Sequence, residues 1–243
     1  MRTLQLIAGL LVAGLATGCH DSDWLSYGWD DRRVLCSDSV DDLSASVDLS
    51  LVDQTFAYAE RTSSVALFHA HVPGVTISRG MIDWMLRAAE VHHLDFVRYD
   101  ELEPGRTPRA GFAFAFDDQA VDAWMSARDL FAAHNARVTF FITRFENYTD
   151  DMKTELEQLA ADGHDIEAHS VNHLHSGSYV DAYGLDAYIA DEVQPSIDIL
   201  RTTGYAPTTY AFPFGEATES TWNRVLSLDG VGRVRLSPGD CPY

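Results

Sequence analysis

The sequence predicts an α/β fold with a largely parallel sheet or barrel. Short apolar runs rich in β-branched and aromatic residues alternate with amphipathic segments of helical period, which gives the order β-α-β-α. The chain has 243 residues, of which 46% are hydrophobic, enough for one core of ordinary size. Polar side chains follow several predicted strands at their carboxyl ends, where such folds place their active sites.

The elements are assigned in chain order from residue 65. The predicted strands are 65–72, 95–99, 111–118, 137–143, 164–170, 208–212 and 231–237. The predicted helices are 78–93, 120–135, 149–163, 185–204 and 219–228. Ser78 and Thr149 are expected to cap their helices, and Gly163 is expected to end the third one.

Composition divides the chain into three parts. Residues 1–18 have the proportions of a signal peptide, with a basic residue followed by an apolar run that is too short to span a bilayer. Residues 19–62 are rich in Asp and Ser, and we expect an acidic tether followed by a loosely packed N-terminal segment. Residues 63–243 carry the alternating elements and are expected to form the catalytic domain.

The N-terminus also resembles a bacterial lipoprotein signal, because the letters "ATGC" end at Cys19 in the manner of a lipobox. This resemblance implies that Cys19 carries a lipid anchor. It places the protein at the bacterial cell envelope, either in the periplasm or on the cell surface. An ordinary cleaved signal peptide is the alternative.

The charge balance excludes one class of partner. The chain has 37 acidic and 17 basic residues, a net charge of -20, and such a surface repels nucleic acid. An exported protein enters an oxidising compartment, so Cys36 and Cys241 are candidates for a disulfide that joins the two ends of the chain. Two free thiols are the alternative.

Two histidines four residues apart suggest a metal site. On a helical turn, the spacing of His169 and His173 would place both imidazoles on one face. Asp117 and Asp118, at the end of a predicted strand, offer a carboxylate ligand. Two histidines and one carboxylate leave coordination positions open for water and substrate.

The paired aspartates offer one carboxylate more than a three-ligand site needs. One aspartate can bind the metal while the other takes a proton from the attacking water. The alternative is that Asp117 or Asp118 caps the helix that begins near Gln119.

Three stretches resemble the motifs of the polysaccharide deacetylase family (NodB homology, carbohydrate esterase 4). They are "FAFDDQ", "GHDIEAHSVNH" and "YAFPFG", and their order and spacing match the family over roughly residues 63–236. The resemblance implies a distorted (β/α) barrel of the polysaccharide deacetylase type. It also implies an enzyme that hydrolyses a C–N bond other than a peptide bond, by removing acetyl groups from an acetylated polysaccharide or oligosaccharide.

The resemblance assigns a role to each motif residue. Asp118, His169 and His173 would hold a divalent metal, Zn²⁺ with Co²⁺ or Ni²⁺ as alternatives. Asp117 would be the general base. The backbone N–H of Phe214 would contribute to the oxyanion hole.

Three departures from the family pattern affect this assignment. Gln119 stands in place of a glycine, and Ala211 in place of an arginine that orients the base. The late histidine that protonates the leaving amine is absent, but the early strand resembles that of exopolysaccharide deacetylases with permuted motifs. The histidine at that position would be His69, with His71 as its rival on the same strand face.

The leading prediction is therefore a metal-dependent deacetylase of an N-acetylglucosamine polymer at the bacterial envelope. The alternatives are an O-acetyl esterase acting on acetylated glycans, a non-catalytic glycan-binding lipoprotein that keeps the metal, and an amidase acting on a non-sugar amide.

Overall fold

A computed structural model describes residues 23–242 and shows a mixed α/β fold with a nearly closed, barrel-shaped sheet. The predicted signal peptide and Cys19 lie outside the described residues. The strands are β1 (Ser26–Tyr27), β2 (Val34–Cys36), β3 (Asp38–Ser39), β4 (Val65–Ala70), β5 (Asp95–Phe96), β6 (Gly111–Asp118), β7 (Thr139–Ile142), β8 (Asp165–Ala168), β9 (Thr209–Ala211) and β10 (Arg233–Leu236).

The helices cover the outside of this sheet. They are α1 (Leu49–Thr62), α2 (Arg79–Val91), α3 (Val121–Ser126), α4 (Arg128–Ala133), α5 (Asp150–Ala161), α6 (Ser176–Tyr183), α7 (Leu185–Tyr188), α8 (Gln194–Thr203) and α9 (Glu219–Val225). The caps predicted at Ser78 and Thr149 are confirmed, because their side chains accept hydrogen bonds from the Met81 and Met152 amides.

The order of strands around the barrel is β1-β4-β6-β7-β8-β9-β10-β2, with β3 paired to β4 and β5 to β6. All pairs are parallel except β1 with β4. Residues 34–39 close the barrel, because β2 pairs with β10 and β3, which follows it directly, pairs with β4.

The large and small side chains that alternate along β6 face two different hydrophobic cores. Phe112, Phe114 and Phe116 pack under the helices, whereas Ala113 and Ala115 face the barrel interior. Successive side chains of a strand point to opposite faces, so the large residues fill the wide outer layer and the small ones fit the narrow interior. The predicted α/β barrel is confirmed.

Two predicted helices are interrupted. The helix expected over 120–135 splits at Ala127, where the Leu130 amide donates to the Ala127 carbonyl and Arg79 contacts the Ser126 carbonyl. The helix expected over 185–204 contains a π-helical turn, Ile189–Val193, immediately before α8. Pro195 lies just beyond this turn and has no amide N–H to donate to the preceding turn.

The N-terminal segment is packed more tightly than its composition suggests. Tyr27, Leu35 and Val40 are buried, and β2 and β3 are parts of the sheet. The structure contains the predicted disulfide between Cys36 in β2 and Cys241 after β10, with a Cα–Cα distance of 6.2 Å. Main-chain pairing and buried apolar side chains therefore hold a segment that is rich in aspartate and serine.

No helix among residues 23–242 combines the length and the apolar character that crossing a membrane requires.

Candidate active site

The predicted site residues meet at the carboxyl-terminal end of the barrel. Asp117 and Asp118 end β6, His169 directly follows β8, and Phe214 lies in the turn after β9. His69 lies near the end of β4, and His71 follows that strand. Parallel strands have their carboxyl ends at the same end of the barrel, so residues far apart in the chain come together there.

Asp118, His169 and His173 form a compact group of potential metal ligands, whose donor atoms lie within 4.8 Å of one another. His173 Nε2 is 3.1 Å from Asp118 Oδ1, and His169 Nε2 is 3.7 Å from the same oxygen. Burial lowers the pKa of His169 to about 4, which keeps the imidazole neutral and able to bind a cation.

The two histidines do not lie on a helical turn, as their spacing had suggested. They lie on a loop in which Ser170 and His173 adopt left-handed backbone conformations, with φ angles of 67° and 59°. Asp118 and Phe214 are also left-handed, with φ angles of 89° and 61°. Non-glycine residues in this region are strained, and such strain concentrates at functional sites.

Neighbouring groups fix the ring of His169 and the backbone of the loop that carries His173. His169 Nδ1 donates to the Ala211 carbonyl over 2.9 Å, which leaves Nε2 free to face Asp118. On the His173 side, the amide N–H and the side chain of Asn172 donate to the Glu192 carboxylate over 2.8 and 2.7 Å. Glu192 is buried and comes from the π-helical turn.

The donor set fits a divalent cation. Asp118 Oδ1 is buried and, although His173 Nε2 lies 3.1 Å away, accepts no well-aligned hydrogen bond among the described residues, so a cation would satisfy it. His69, His71 and Asp117 form a second group of similar size, but its carboxylate is already neutralised by an arginine. The first group is therefore the better candidate for a metal of the Zn²⁺ type.

Asp117 is held by an arginine that the sequence analysis did not identify. Arg235 in β10 donates from both terminal nitrogens to the two carboxylate oxygens, with Nη1 2.9 Å from Oδ1. Both side chains are buried. Burial raises the pKa of Asp117, but the Arg235 charge outweighs this effect and brings the pKa well below its usual range.

His71 is paired with a carboxylate from the N-terminal segment. Its Nδ1 contacts Asp41 Oδ2, and its backbone N–H donates to Asp41 Oδ1 over 3.0 Å. Thr76 and Ser39 hydroxyls also donate to this carboxylate. Burial alone would lower the pKa of His71, but Asp41 and the charge of Asp117 raise it to about 9.

His69 has a different environment. It is buried, and its Nδ1 lies 2.6 Å from the Ser37 hydroxyl. Burial and the nearby Arg235 charge lower the pKa of His69 to about 3, so the ring is neutral at physiological pH. The two rings are 5.6 Å apart, and a nitrogen of each lies within 4.8 Å of an Asp117 oxygen.

Phe214 forms one border of the site. Its ring is half-exposed, stacks on His175 with centroids 3.5 Å apart, and also contacts the His173 ring. A cavity of about 200 Å³ lies beside Asp118 and His173 and includes Gln119 and Arg144 in its wall. The structure thus brings all six predicted site residues to one region of the barrel.

Two contributing residues, Arg235 and Asp41, could not be found from local motifs. Arg235 is 118 residues from Asp117 in the chain, and Asp41 is 30 residues from His71. The only local signal for Arg235 was an arginine within an apolar strand, because an arginine at a buried position needs an anionic partner. Asp41 had no distinguishing signal among the many aspartates around it.

The two carboxylates and the paired histidines lie at the carboxyl end of a parallel barrel, which is where enzymes of this architecture have their active sites. The family model described as polysaccharide deacetylase matches residues 105–230, about half of the chain. The chain therefore belongs to the polysaccharide deacetylase family. No match was found among curated protein sequences.

Solved structures show the same fold. The structure of IcaB from Ammonifex degensii has 18% sequence identity and a TM-score of 0.59, and the match covers 74% of this chain and 88% of that chain. The Streptococcus pyogenes deacetylase PplD in complex with acetate has 15% identity and a TM-score of 0.53, over 66% and 77% of the two chains. A de-N-acetylase from Aggregatibacter actinomycetemcomitans has 14% identity and a TM-score of 0.53, over 74% and 95%.

Proposed function

We propose that this protein is a metal-dependent hydrolase that removes acetyl groups from an N-acetylated polysaccharide, with a polymer of N-acetylglucosamine as the expected substrate. One observation carries the proposal: a fitting metal-ligand group lies beside a buried carboxylate oriented by an arginine and beside a histidine paired with an aspartate. The names of the similar structures, a deacetylase and a de-N-acetylase, support the same reaction class.

Asp118, His169 and His173 would hold the cation, with Zn²⁺ expected and Co²⁺ or Ni²⁺ as alternatives. When bound, a divalent cation polarises the acetyl carbonyl and makes water more acidic. Asp117 accepts a proton from the attacking water, and Arg235 holds the carboxylate in the orientation that this transfer needs. The Phe214 N–H donates to the negative charge that develops on the acetyl oxygen.

For the proton donor we propose His71 instead of His69. A general acid must be protonated before the leaving amine departs, and the raised pKa of His71 meets this requirement at neutral pH. His69 is neutral there and is hydrogen-bonded to Ser37. On this assignment Asp41 is a positioning residue that orients His71 and stabilises its charge.

Acetate release from β-linked N-acetylglucosamine oligomers tests the proposal. Protein loaded with Zn²⁺, Co²⁺ or Ni²⁺ is compared with Asp117→Asn and Asp118→Asn. Both variants should lose activity, and Asp118→Asn should also lose most of its metal, as measured by metal analysis of the purified protein. Full metal occupancy without acetate release from these oligomers or from O-acetylated xylan would favour a glycan-binding protein. Release from xylan alone would favour an esterase.

The roles of the two histidines are tested by His71→Gln and His69→Gln. His71→Gln should lower kcat about 10²-fold or more, with metal content retained. It should also remove the alkaline limb of the pH profile, which we place at or below pH 9 because a bound cation lowers the pKa of a nearby imidazolium. If His69→Gln removes that limb and His71→Gln keeps it, the assignment is reversed.

We further propose that the protein acts at the bacterial envelope and is anchored through Cys19, on the strength of the signal sequence. Labelling of cells with a radioactive fatty acid should mark the wild-type protein and not Cys19→Ser. Equal labelling of both, or of neither, would contradict the anchor.

A further inference from the structure

A second cavity, of about 640 Å³, opens at the other end of the barrel. Thr208 and Gly232, which directly precede β9 and β10, lie in its wall. The amino ends of these strands face away from the candidate active site. The wall also contains three arginines, Arg32, Arg33 and Arg233.

Two of these arginines already have partners. Arg33 donates to the carbonyls of Gly232, Leu226 and Val231 over 2.6–2.8 Å. Arg32 donates to the Ser26 carbonyl and forms an ion pair with Asp30. They shape the wall and contribute positive charge to it.

Arg233 differs from both. Only 5% of its surface is exposed, and its guanidinium lies 5.5 Å from the ring centre of Tyr27 and interacts with the neutral Tyr27 hydroxyl. Among residues 23–242, its Nε has no hydrogen-bond partner, and no carboxylate forms an ion pair with it. A buried guanidinium remains charged, and leaving such a charge without an anion is costly.

A hydroxyl beside Arg233 also has no partner. Thr209 is opposite Arg233 in the parallel register of β9 and β10, so the two side chains point to the same side of the sheet. Thr209 Oγ1 is buried without a hydrogen-bond partner among the described residues. Thr209 does not itself line the cavity, so only an anion that lay deep beside Arg233 would satisfy both groups together.

The buried carboxylate on the neighbouring strand does not fill this role. Glu167 accepts hydrogen bonds from the Thr208 and Thr209 amides and from the Thr208 hydroxyl. Burial and the adjacent Asp165 carboxylate raise the pKa of Glu167 well above its usual range. Glu167 is therefore a poor counter-ion for Arg233.

We propose that this cavity is an oxyanion-binding site, separate from the candidate active site, in which Arg233 binds a carboxylate or phosphate group of a small ligand. The planar fork of an arginine matches both groups. Asp31 and Glu103 also line the cavity and would repel ligands of high negative charge, which favours a ligand with a single anionic group.

Anion titrations of the full chain test this proposal. Inorganic phosphate and sodium acetate are added separately at constant ionic strength with chloride, while the Nε–Hε signal of Arg233 is followed by NMR. A saturable shift with phosphate identifies a phosphoryl site, and one with acetate identifies a carboxylate site. In Arg233→Met, binding measured by calorimetry should weaken at least tenfold.

Three variants serve as controls. Arg87→Gln removes an exposed arginine with an ion pair of its own and should bind the anion as the wild type does. Asp118→Asn should also bind it, which separates this site from the metal group. Arg233→Gln removes the charge but keeps a polar side chain, and it replaces Arg233→Met if that variant does not fold. The proposal is overturned if neither anion gives a saturable shift at Arg233, if chloride gives the same shift, or if binding survives in Arg233→Met or, where that variant does not fold, in Arg233→Gln.

Discussion

At the level of single residues, Arg235 takes the role of the base-orienting arginine that the family pattern has next to the proline motif. Ala211 occupies the motif position of that arginine, and its backbone carbonyl accepts a hydrogen bond from His169. The guanidinium that holds Asp117 comes from the last strand and is buried with it. The same ionic contact can therefore be supplied from a different place in the chain.

Arg235→Lys should preserve the charge but lose the bidentate hydrogen bonding to Asp117. We expect a folded protein with unchanged metal affinity and a kcat lowered about 10²-fold, because the base is no longer held in place. Acetate release and metal titration measure the two effects. Arg87→Lys is the matched control, and a loss of metal binding in Arg235→Lys would contradict the assigned role.

The pairing of His71 with Asp41 links stability to pH. The pKa of His71 is raised in the folded protein, so the pair stabilises the fold fully below about pH 6.5, the unfolded pKa. This stabilisation is lost as the pH rises through about 9. We expect a loss of roughly 2 kcal/mol in the free energy of unfolding, allowing for the partial exposure of the ring.

Urea unfolding of metal-free protein at several pH values measures this loss. In Asp41→Asn the decline between pH 6.5 and 9 should largely disappear, because the histidine no longer gains a partner on folding. His93→Asn, a change at an exposed histidine, should keep the wild-type decline. An unchanged decline in Asp41→Asn would show that another group titrates.

At the level of elements, the π-helical turn brings a buried carboxylate to the metal-ligand loop. Glu192 accepts both Asn172 donors, and its own carbonyl accepts from the Val171 amide. These bonds fix a loop whose residues Ser170 and His173 are in left-handed conformations. The turn therefore helps to hold the backbone of the loop that carries His173.

Glu192→Ala should weaken metal binding about 10- to 100-fold, as is typical when a group that orients a metal ligand is lost. Competition with a chromogenic chelator measures this affinity without reference to turnover. Glu157→Ala removes an exposed glutamate from α5 and should bind metal normally. Equal affinities in the two variants would leave Glu192 with a purely structural role.

The disulfide joins the barrel-closing strand to the segment after β10, across a sequence separation of 205 residues. Chain-entropy models assign a closure of this length about 5 kcal/mol. The double variant Cys36→Ser, Cys241→Ser should therefore unfold at a lower denaturant concentration than the oxidised wild type. Reduced wild type should behave like the variant. If reduction leaves the midpoint unchanged, the crosslink does not stabilise the fold.

At the level of the whole molecule, the sequence was most informative where the site is made of local motifs. The alternating Phe and Ala residues predicted a buried strand. The aspartates at its end and the two histidines four residues apart predicted the metal-ligand group at the carboxyl end of that strand. Arg235 and Asp41 depend on strands that meet only in the closed barrel, so no local pattern could pair them with Asp117 and His71. The same limit kept the choice between His69 and His71 open, because it depends on which ring receives a carboxylate.

Closure of the barrel by residues 34–39 has a practical consequence for anyone who divides this protein into pieces. A fragment that begins at residue 63 would retain every motif residue from His69 to Phe214. It would nevertheless lack the partner of His71, and it would expose the unpaired edges of β4 and β10 to other chains. For expression, domain grafting or the comparison of relatives, the indivisible unit therefore begins before β2, well upstream of the first motif.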